Sequence, residues 1–240
     1  MIQKKIHYIW MGGKPLTVLA KKCITSWKKF CPDFEIIEWN ESNFDVTSNL
    51  YCNQAFESKK WAFVSDYVRL KILFDHGGIY MDTDVEVIKP LGKFLHLPAF
   101  SGFEDGINIP TGIIASCQAN LWVKKMLSYY DNIPFLLDNK PDLTTNVISI
   151  TKMTKEMYPD FRQDNSEQHF KEVSFFPKDY FCPLNGNKEL NKTERTHTIH
   201  WFAGSWLPAP TFWQRIKNLI KKVIGTKNTQ RVRAVIKNKH

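Results

Sequence analysis

The sequence predicts an α/β fold with a mostly parallel central sheet. Three observations carry that expectation. The chain opens as strand, helix, strand with short connections, the order of a βαβ crossover. A second apolar helix over residues 59–75 stops at a glycine pair and runs at once into another short strand. Hydrophobic residues make up 43% of the 240 positions and aromatics 14%, enough to fill one domain core without staples.

Ile6-His7-Tyr8-Ile9-Trp10 is β-branched and aromatic and halts at Gly12-Gly13, so it reads as a strand entering a loop. Leu16, Leu19, Ala20, Cys23, Ile24 and Trp27 recur at helical spacing through residues 16–30. Pro32-Asp33 ends that helix, and residues 34–39 form the next strand. The helix over residues 59–75 is apolar nearly all round and therefore buried, with Gly77-Gly78 as its stop. Ile79-Tyr80-Met81 then starts a strand. Further on, residues 113–115, 173–176 and 198–201 read as strands, and 119–130 and 143–157 as helices. No internal repeat or low-complexity segment is present.

The net charge of +9 is confined to the end of the chain. Residues 211–240 hold nine Lys/Arg and no acid, so the first 210 residues are neutral. The expected division is therefore 1–210 as the globular domain and 211–240 as a basic tail. Within 212–224, Phe212, Trp213, Ile216, Leu219, Ile220, Val223 and Ile224 repeat at helical spacing between lysines and arginines. That pattern suits an anionic membrane surface, bound through residues 212–240. A basic terminal helix docked on the domain is the plainer alternative. The neutral body and the lack of a nucleic-acid motif argue against nucleic acid as a partner. Five cysteines, widely spaced and never as C-x-x-C, fit a reducing cytosol rather than a disulfide framework or zinc site. The N-terminus lacks the apolar stretch of a signal peptide, and no apolar run approaches the ~20 residues that span a bilayer.

Asp82-Thr83-Asp84 is the candidate chemical centre. In an extended segment side chains two apart share a face, so both carboxylates reach one cation. Carboxylate oxygens suit Mn²⁺ or Mg²⁺, which keep positions open for water and substrate phosphates. D-x-D alone is common in solvated loops. It is not a calcium EF-hand loop here, because Val87 and Lys93 stand where that loop needs Gly and Glu. Asp66 and Arg69, three apart on the apolar helix, share a face. A surface ion pair is the ordinary reading of such spacing, but a pair buried on this helix needs partners.

Trp61 to Val87, WAFVSDYVRLKILFDHGGIYMDTDVEV, resembles the D-x-D region of glycosyltransferase family 32. That family includes yeast α-1,6-mannosyltransferase, vertebrate α-1,4-galactosyl- and N-acetylglucosaminyltransferases and bacterial capsule enzymes. The segment is also similar to the catalytic domain of large clostridial glucosylating toxins. S-D-x-x-R followed by G-G-x-Y-x-D-x-D is more specific than D-x-D, and the opening I-H-Y-I-W-M-G-G and closing H-W-F-A-G-S-W match as well. The resemblance implies a Rossmann-like nucleotide-sugar-binding domain of the GT-A type. The implied reaction is metal-dependent hexosyl transfer with retention, from a UDP-sugar (GDP-mannose less expected) to a lipid-linked oligosaccharide or polysaccharide. This would take place in the cytoplasm at the inner membrane face. A toxin-like transferase acting on a protein, or a membrane- or nucleic-acid-binding protein that merely retains the fold, are the rivals.

The same resemblance assigns roles residue by residue. Trp10 would stack on the nucleobase, though a core tryptophan at a strand end looks the same in sequence. Asn43 would contact the donor near base and ribose, with a simple turn asparagine as the alternative. Asp66 would accept from sugar hydroxyls and Arg69 would donate to sugar or diphosphate. Ser65 and Tyr80 would add donor contacts, or be satisfied core hydroxyls. Ser205 and Trp206 would close over the diphosphate, and His200 would join Asp82 and Asp84 on the metal. The family often carries paired histidines there, where this chain has His200-Trp201. Thr111-Gly112 would line the acceptor side. Glu104 and Asp105 are carboxylates near in sequence, with no role as base assigned.

Overall fold

A computed structural model describes residues 1–204. Met1–Ala203 form one compact unit. The expected boundary at 210, the basic tail, and Ser205 and Trp206 lie outside the described residues.

The chain runs β1 (Lys5–Ile9), α1 (Val18–Phe30), β2 (Glu35–Trp39), α2 (Leu50–Glu57), α3 (Trp61–His76), β3 (Gly78–Met81), β4 (Val85–Val87), β5 (Ala99–Gly102) and β6 (Ile113–Ser116). It continues with α4 (Leu121–Leu127), β7 (Leu136–Leu137), β8 (Lys140–Pro141), α5 (Asn146–Met157), β9 (Gln168–His169), β10 (Ser174–Phe176), α6 (Lys178–Phe181) and β11 (Thr198–His200). The main sheet has the order β2-β1-β3-β6-β5-β10-β9. β2, β1, β3, β5 and β10 run one way, while β6 and β9 run against them. The sheet is thus mostly parallel, as expected, with β6 inserted antiparallel at its centre. β4 leaves this sheet and pairs antiparallel with β11.

Strand alternation sorts the core into two clusters. Tyr80, Ile114 and Phe175 face one way, against α2, α3, α4 and α5. Ile79, Met81, Ile113, Ala115 and Phe176 face the other, against α1 and α6. Thr17 caps α1, its hydroxyl accepting from the Ala20 N–H, which places the start two residues later than the hydrophobic spacing suggests. α1 is fastened to β4 by the Trp27 indole, which donates to the Val85 carbonyl at 2.7 Å. The helix expected over 119–130 is α4 followed by a 3₁₀ turn, Ser128–Tyr130.

Beneath the site-bearing strands lies a buried histidine. His7 Nε2 donates to the Gly77 carbonyl at 2.8 Å, while Nδ1 accepts from the Trp39 indole at 3.1 Å. Accepting the indole N–H requires the neutral ring with its proton on Nε2. Gly78 adopts φ +105°, and a Cβ there would stand 2.8 Å from His7 Nε2, so the imidazole also fixes this glycine. Burial lowers the His7 pKa to about 4. A histidine whose folded pKa is depressed contributes stability that is complete above its unfolded value of ~6.5 and lost as pH falls toward 4. Wild type is therefore expected to lose up to ~3 kcal/mol through this residue over that interval. Urea unfolding at pH 7 and pH 4.5 checks it: His7→Gln should show a shallower pH slope than wild type, and equal slopes would remove His7 as the cause.

Candidate active site

β3 ends at Met81, but the Asp82 amide still bonds across the ladder to the Gly112 carbonyl at 2.8 Å. The chain then reverses: the Val85 amide donates to the Asp82 carbonyl at 2.9 Å. Asp82-Thr83-Asp84 is therefore a tight turn, not the extended segment expected from side-chain alternation. The cause is topological. β4 must leave the main sheet to meet β11, and three residues supply the change of direction. The two carboxylates converge through that curvature.

β11 delivers the third group. His200 is buried, with Nε2 3.2 Å from Asp84 Oδ1. Ligand atoms of Asp82, Asp84 and His200 all lie within 4.8 Å of one another. Neighbouring ligands on an octahedral ion with bonds of about 2.1 Å stand about 3 Å apart, and opposite ones about 4 Å. Two carboxylates and an imidazole this close are a donor set for one divalent cation, which would draw the widest pair a few tenths of an ångström together. His200 Nδ1 is enclosed and lacks a hydrogen-bond partner among the described residues. Burial pushes the Asp84 carboxyl up, but hydrogen bonds from His200 and from the Ala203 amide (2.8 Å) outweigh it and hold the group below the usual range.

Beside this centre stands a buried polar cluster. Arg69 is 4% exposed and spends its guanidinium on four acceptors. It donates to the Ser65 carbonyl (2.9 Å) and the Thr111 carbonyl (2.6 Å), and pairs with Asp66 Oδ1 (3.0 Å) and Asp82 Oδ1 (3.4 Å). Its flat face lies 4.7 Å from the Tyr80 ring centroid. The Tyr80 hydroxyl donates to Asp82 Oδ1 at 2.6 Å. Asp66 also accepts from the Asn146 amide at 2.7 Å, and Asn146 Oδ1 accepts from the Thr111 hydroxyl at 3.1 Å. Burial raises the Asp66 pKa to about 7 against the opposing pull of Arg69. The surface-pair reading of Asp66 and Arg69 is thereby replaced by a buried network that ends on Asp82.

The structure thus brings together Asp66, Arg69, Tyr80, Asp82, Asp84, His200 and Thr111. Ser65 joins them through its backbone, while its hydroxyl donates to the Trp61 carbonyl at 2.9 Å. Trp10 stands just past β1, half-buried, its indole donating to the Lys14 carbonyl. The Asn43 side chain closes the turn after β2, accepting from the Asn40 amide (2.8 Å) and donating to the Glu38 carbonyl (2.9 Å). Asp105 caps its own loop at Ile107 and Asn108. Glu104 is half-buried; burial pushes its carboxyl up, and the charges of His200 and Asp82 act on it. Asn146 carries no signal in the sequence, because its partner Asp66 lies 80 residues away.

Gly112 holds His200 in place by having no side chain: a Cβ there would stand 2.7 Å from His200 Cε1 and 2.8 Å from Nδ1. Gly112→Ala should tilt the ring off the two aspartates. The expected result is Mn²⁺ affinity lowered ~10–100-fold, the range for losing support of a metal ligand, with the far-ultraviolet circular dichroism spectrum unchanged. Unaltered Mn²⁺ affinity by electron paramagnetic resonance would show that His200 does not need this contact.

Residues 17–103 match the family model described as glycosyltransferase sugar-binding region containing DXD motif. The window holds Asp66, Arg69, Tyr80, Asp82 and Asp84. The chain is 25% identical over 220 residues to an uncharacterized glycosyltransferase of Acanthamoeba polyphaga mimivirus, covering 87% of this chain and 85% of that protein. It is 30% identical over 107 residues to inositol phosphoceramide mannosyltransferase 3 of Schizosaccharomyces pombe, covering 41% of this chain and 29% of that one. Among solved structures, PaToxG glycosyltransferase superposes with TM-score 0.50 at 20% identity, over 66% of this chain and 70% of that one. The fold is that of a GT-A type glycosyltransferase. Over residues 17–103 the chain is similar to glycosyltransferases that carry a DXD sugar-binding region.

Proposed function

We propose that the protein transfers a hexosyl group, with retention, from a UDP-sugar to a lipid-linked oligosaccharide or polysaccharide in a Mn²⁺- or Mg²⁺-dependent reaction. The observation that carries this reading is the convergence of Asp82, Asp84 and His200 beside the Asp66–Arg69 pair. A cation held by the first three would neutralise charge developing on the departing diphosphate. Arg69 is fixed on four acceptors and so holds Asp66 and Asp82 in register. Asp66 keeps one oxygen for a sugar hydroxyl. The bond from anomeric carbon to diphosphate breaks, the bond to the acceptor oxygen forms, and the acceptor proton leaves with the diphosphate. No protein nucleophile is assigned, so catalysis rests on positioning and electrostatics. The glycolipid named in the yeast relative supports a lipid-linked acceptor, and the basic segment 212–240 would hold the enzyme against the cytoplasmic face of an anionic membrane.

Isothermal titration tests the first half of this reading: UDP should bind in the presence of Mn²⁺ and fail to bind in EDTA. Nucleotide release measured over a panel of UDP- and GDP-sugars, with glycolipid and polysaccharide acceptors, tests the second. Absence of UDP binding under all conditions would sink the proposal.

A further inference from the structure

α1 meets the rest of the fold through Ala20, Cys23, Ile24 and Trp27. Its outward positions are Val18, Lys21, Lys22, Thr25, Lys28 and Lys29, all exposed and spaced so that they share one face. Four of the six are lysines and none is an acid. The bias extends beyond the helix: the first 32 residues hold seven lysines, and Asp33 is the first acid of the chain. The helix dipole favours Lys28 and Lys29 in the last turn, but Lys21 lies at the end of the first turn, where a cation is disfavoured. Packing and dipole therefore leave the sign of this face unexplained.

Most of that charge is unspent. Of the four lysines, only Lys22 has a carboxylate partner among the described residues, Glu86 at 2.8 Å. Glu86 also accepts from the Trp201 indole at 2.9 Å, and Lys22 lies 5.1 Å from the centroid of the Trp201 ring. Glu86 stands on β4 two residues past Asp84, and Trp201 directly follows His200. The basic face is thus fastened to both strands that present the candidate cation site, with the bond from Trp27 to Val85 as a second tie.

We propose that the outward face of α1 docks on the anionic headgroups of a lipid bilayer. The inference deepens the membrane reading given above for residues 212–240 and rests on it: it adds a contact made by the folded domain and fixes which side of that domain meets lipid. Three features fit headgroups rather than a nucleic acid. The cations are all lysine, point charges that suit a diffuse surface potential, and no arginine fork for a discrete phosphate occurs before Arg69. A single helix face offers no groove to track a strand. Val18, 88% exposed at the N-terminal end, supplies an apolar group to enter the headgroup layer. Docked this way, the turn at Asp82-Thr83-Asp84 lies near the lipid surface, where a lipid-linked acceptor is presented.

The triple variant Lys21→Gln, Lys28→Gln, Lys29→Gln in the full chain removes the unpaired cations and spares the bond between Lys22 and Glu86. The control is Lys59→Gln, Lys124→Gln, Lys152→Gln, an equal change of net charge on exposed lysines of the α2–α5 side of the sheet. Both are surface changes and should melt within about 2 °C of wild type. Co-sedimentation with phosphatidylcholine vesicles containing ~30% phosphatidylserine, at ~0.1 M salt, measures binding. Each lysine near such a surface is worth about 1 kcal/mol, or ~5-fold, so the α1 variant should bind ~10–100-fold more weakly than wild type. The control should bind as wild type does, and pure phosphatidylcholine should hold none of the three proteins. An α1 variant as tight as wild type, a control equally weakened, or equal binding to pure phosphatidylcholine overturns the assignment. So does a loss seen on heparin but not on vesicles, which would make a soluble polyanion the occupant. Wild type that fails to bind anionic vesicles at all would overturn the membrane reading of residues 212–240 as well.

Discussion

Asp82→Asn and Asp84→Ala each abolish metal-dependent release of nucleotide, by a factor of at least ~10³, while the protein stays folded. The magnitude follows from what each carboxylate does. Removing one preorganised group that stabilises transition-state charge costs about 10²–10³ in rate, and here the cation itself loses a charged ligand. The two variants fail for different reasons. Asp82→Asn keeps an oxygen for the Tyr80 hydroxyl at 2.6 Å but removes the charge facing Arg69 at 3.4 Å. Asp84→Ala removes the acceptor for both His200 and the Ala203 amide, so the segment behind β11 keeps only the Trp201 amide on the residue-84 carbonyl as its tie to the turn. Nucleotide release at saturating donor, followed across a Mn²⁺ titration, should show no recovery at high metal for Asp84→Ala and partial recovery for Asp82→Asn. Full activity of either variant in EDTA would mean that no cation works at this turn.

Much of this centre was legible in the sequence because its determinants are local. Gly77-Gly78 stops α3 and starts β3, and the D-x-D follows within four residues. An all-round apolar helix carrying Asp66 and Arg69 already said that the pair was buried. What sequence could not show was long-range closure. β4 has three residues and no pattern of its own until β11, more than a hundred residues later, pairs with it. The turn geometry at Asp82-Thr83-Asp84 depends on that pairing, so spacing alone led to an extended segment. α2 was likewise missed. Leu50–Glu57 is short, and only Tyr51, Cys52 and Ala55 are buried, too few for a helical period to register. Asn43 shows the reverse: the turn-forming role that its residue type suggested is the one its side chain performs among the described residues. The reversed direction of β6 is a property of the assembled sheet, and Ile113-Ile114-Ala115 reads the same either way.

Arg69→Met is expected to cost more stability than any other single change in the site, about 3–5 kcal/mol, the range for breaking one side of a buried ion pair. Methionine fills the volume, so the loss is electrostatic. The Ser65 and Thr111 carbonyls lose their donor, and Asp66 keeps only the Asn146 amide. The Asp66 pKa is already raised to about 7 by burial, with Arg69 opposing the rise; without Arg69 it climbs further. A carboxyl whose folded pKa lies above its unfolded value of ~3.9 destabilises the fold as pH rises through that interval, because the unfolded chain ionises first. The variant should therefore be closer to wild type at pH 5.5 than at pH 8. Adding Asp66→Asn removes the unpaired charge, and urea unfolding at pH 8 should show the double variant recovering part of the loss. Activity should not return with it, since the carboxylate that faces the sugar and the guanidinium that holds it in register are both gone. Stability that fails to recover in the double variant at pH 8 would show that Arg69 acts through packing against the Tyr80 ring rather than through charge.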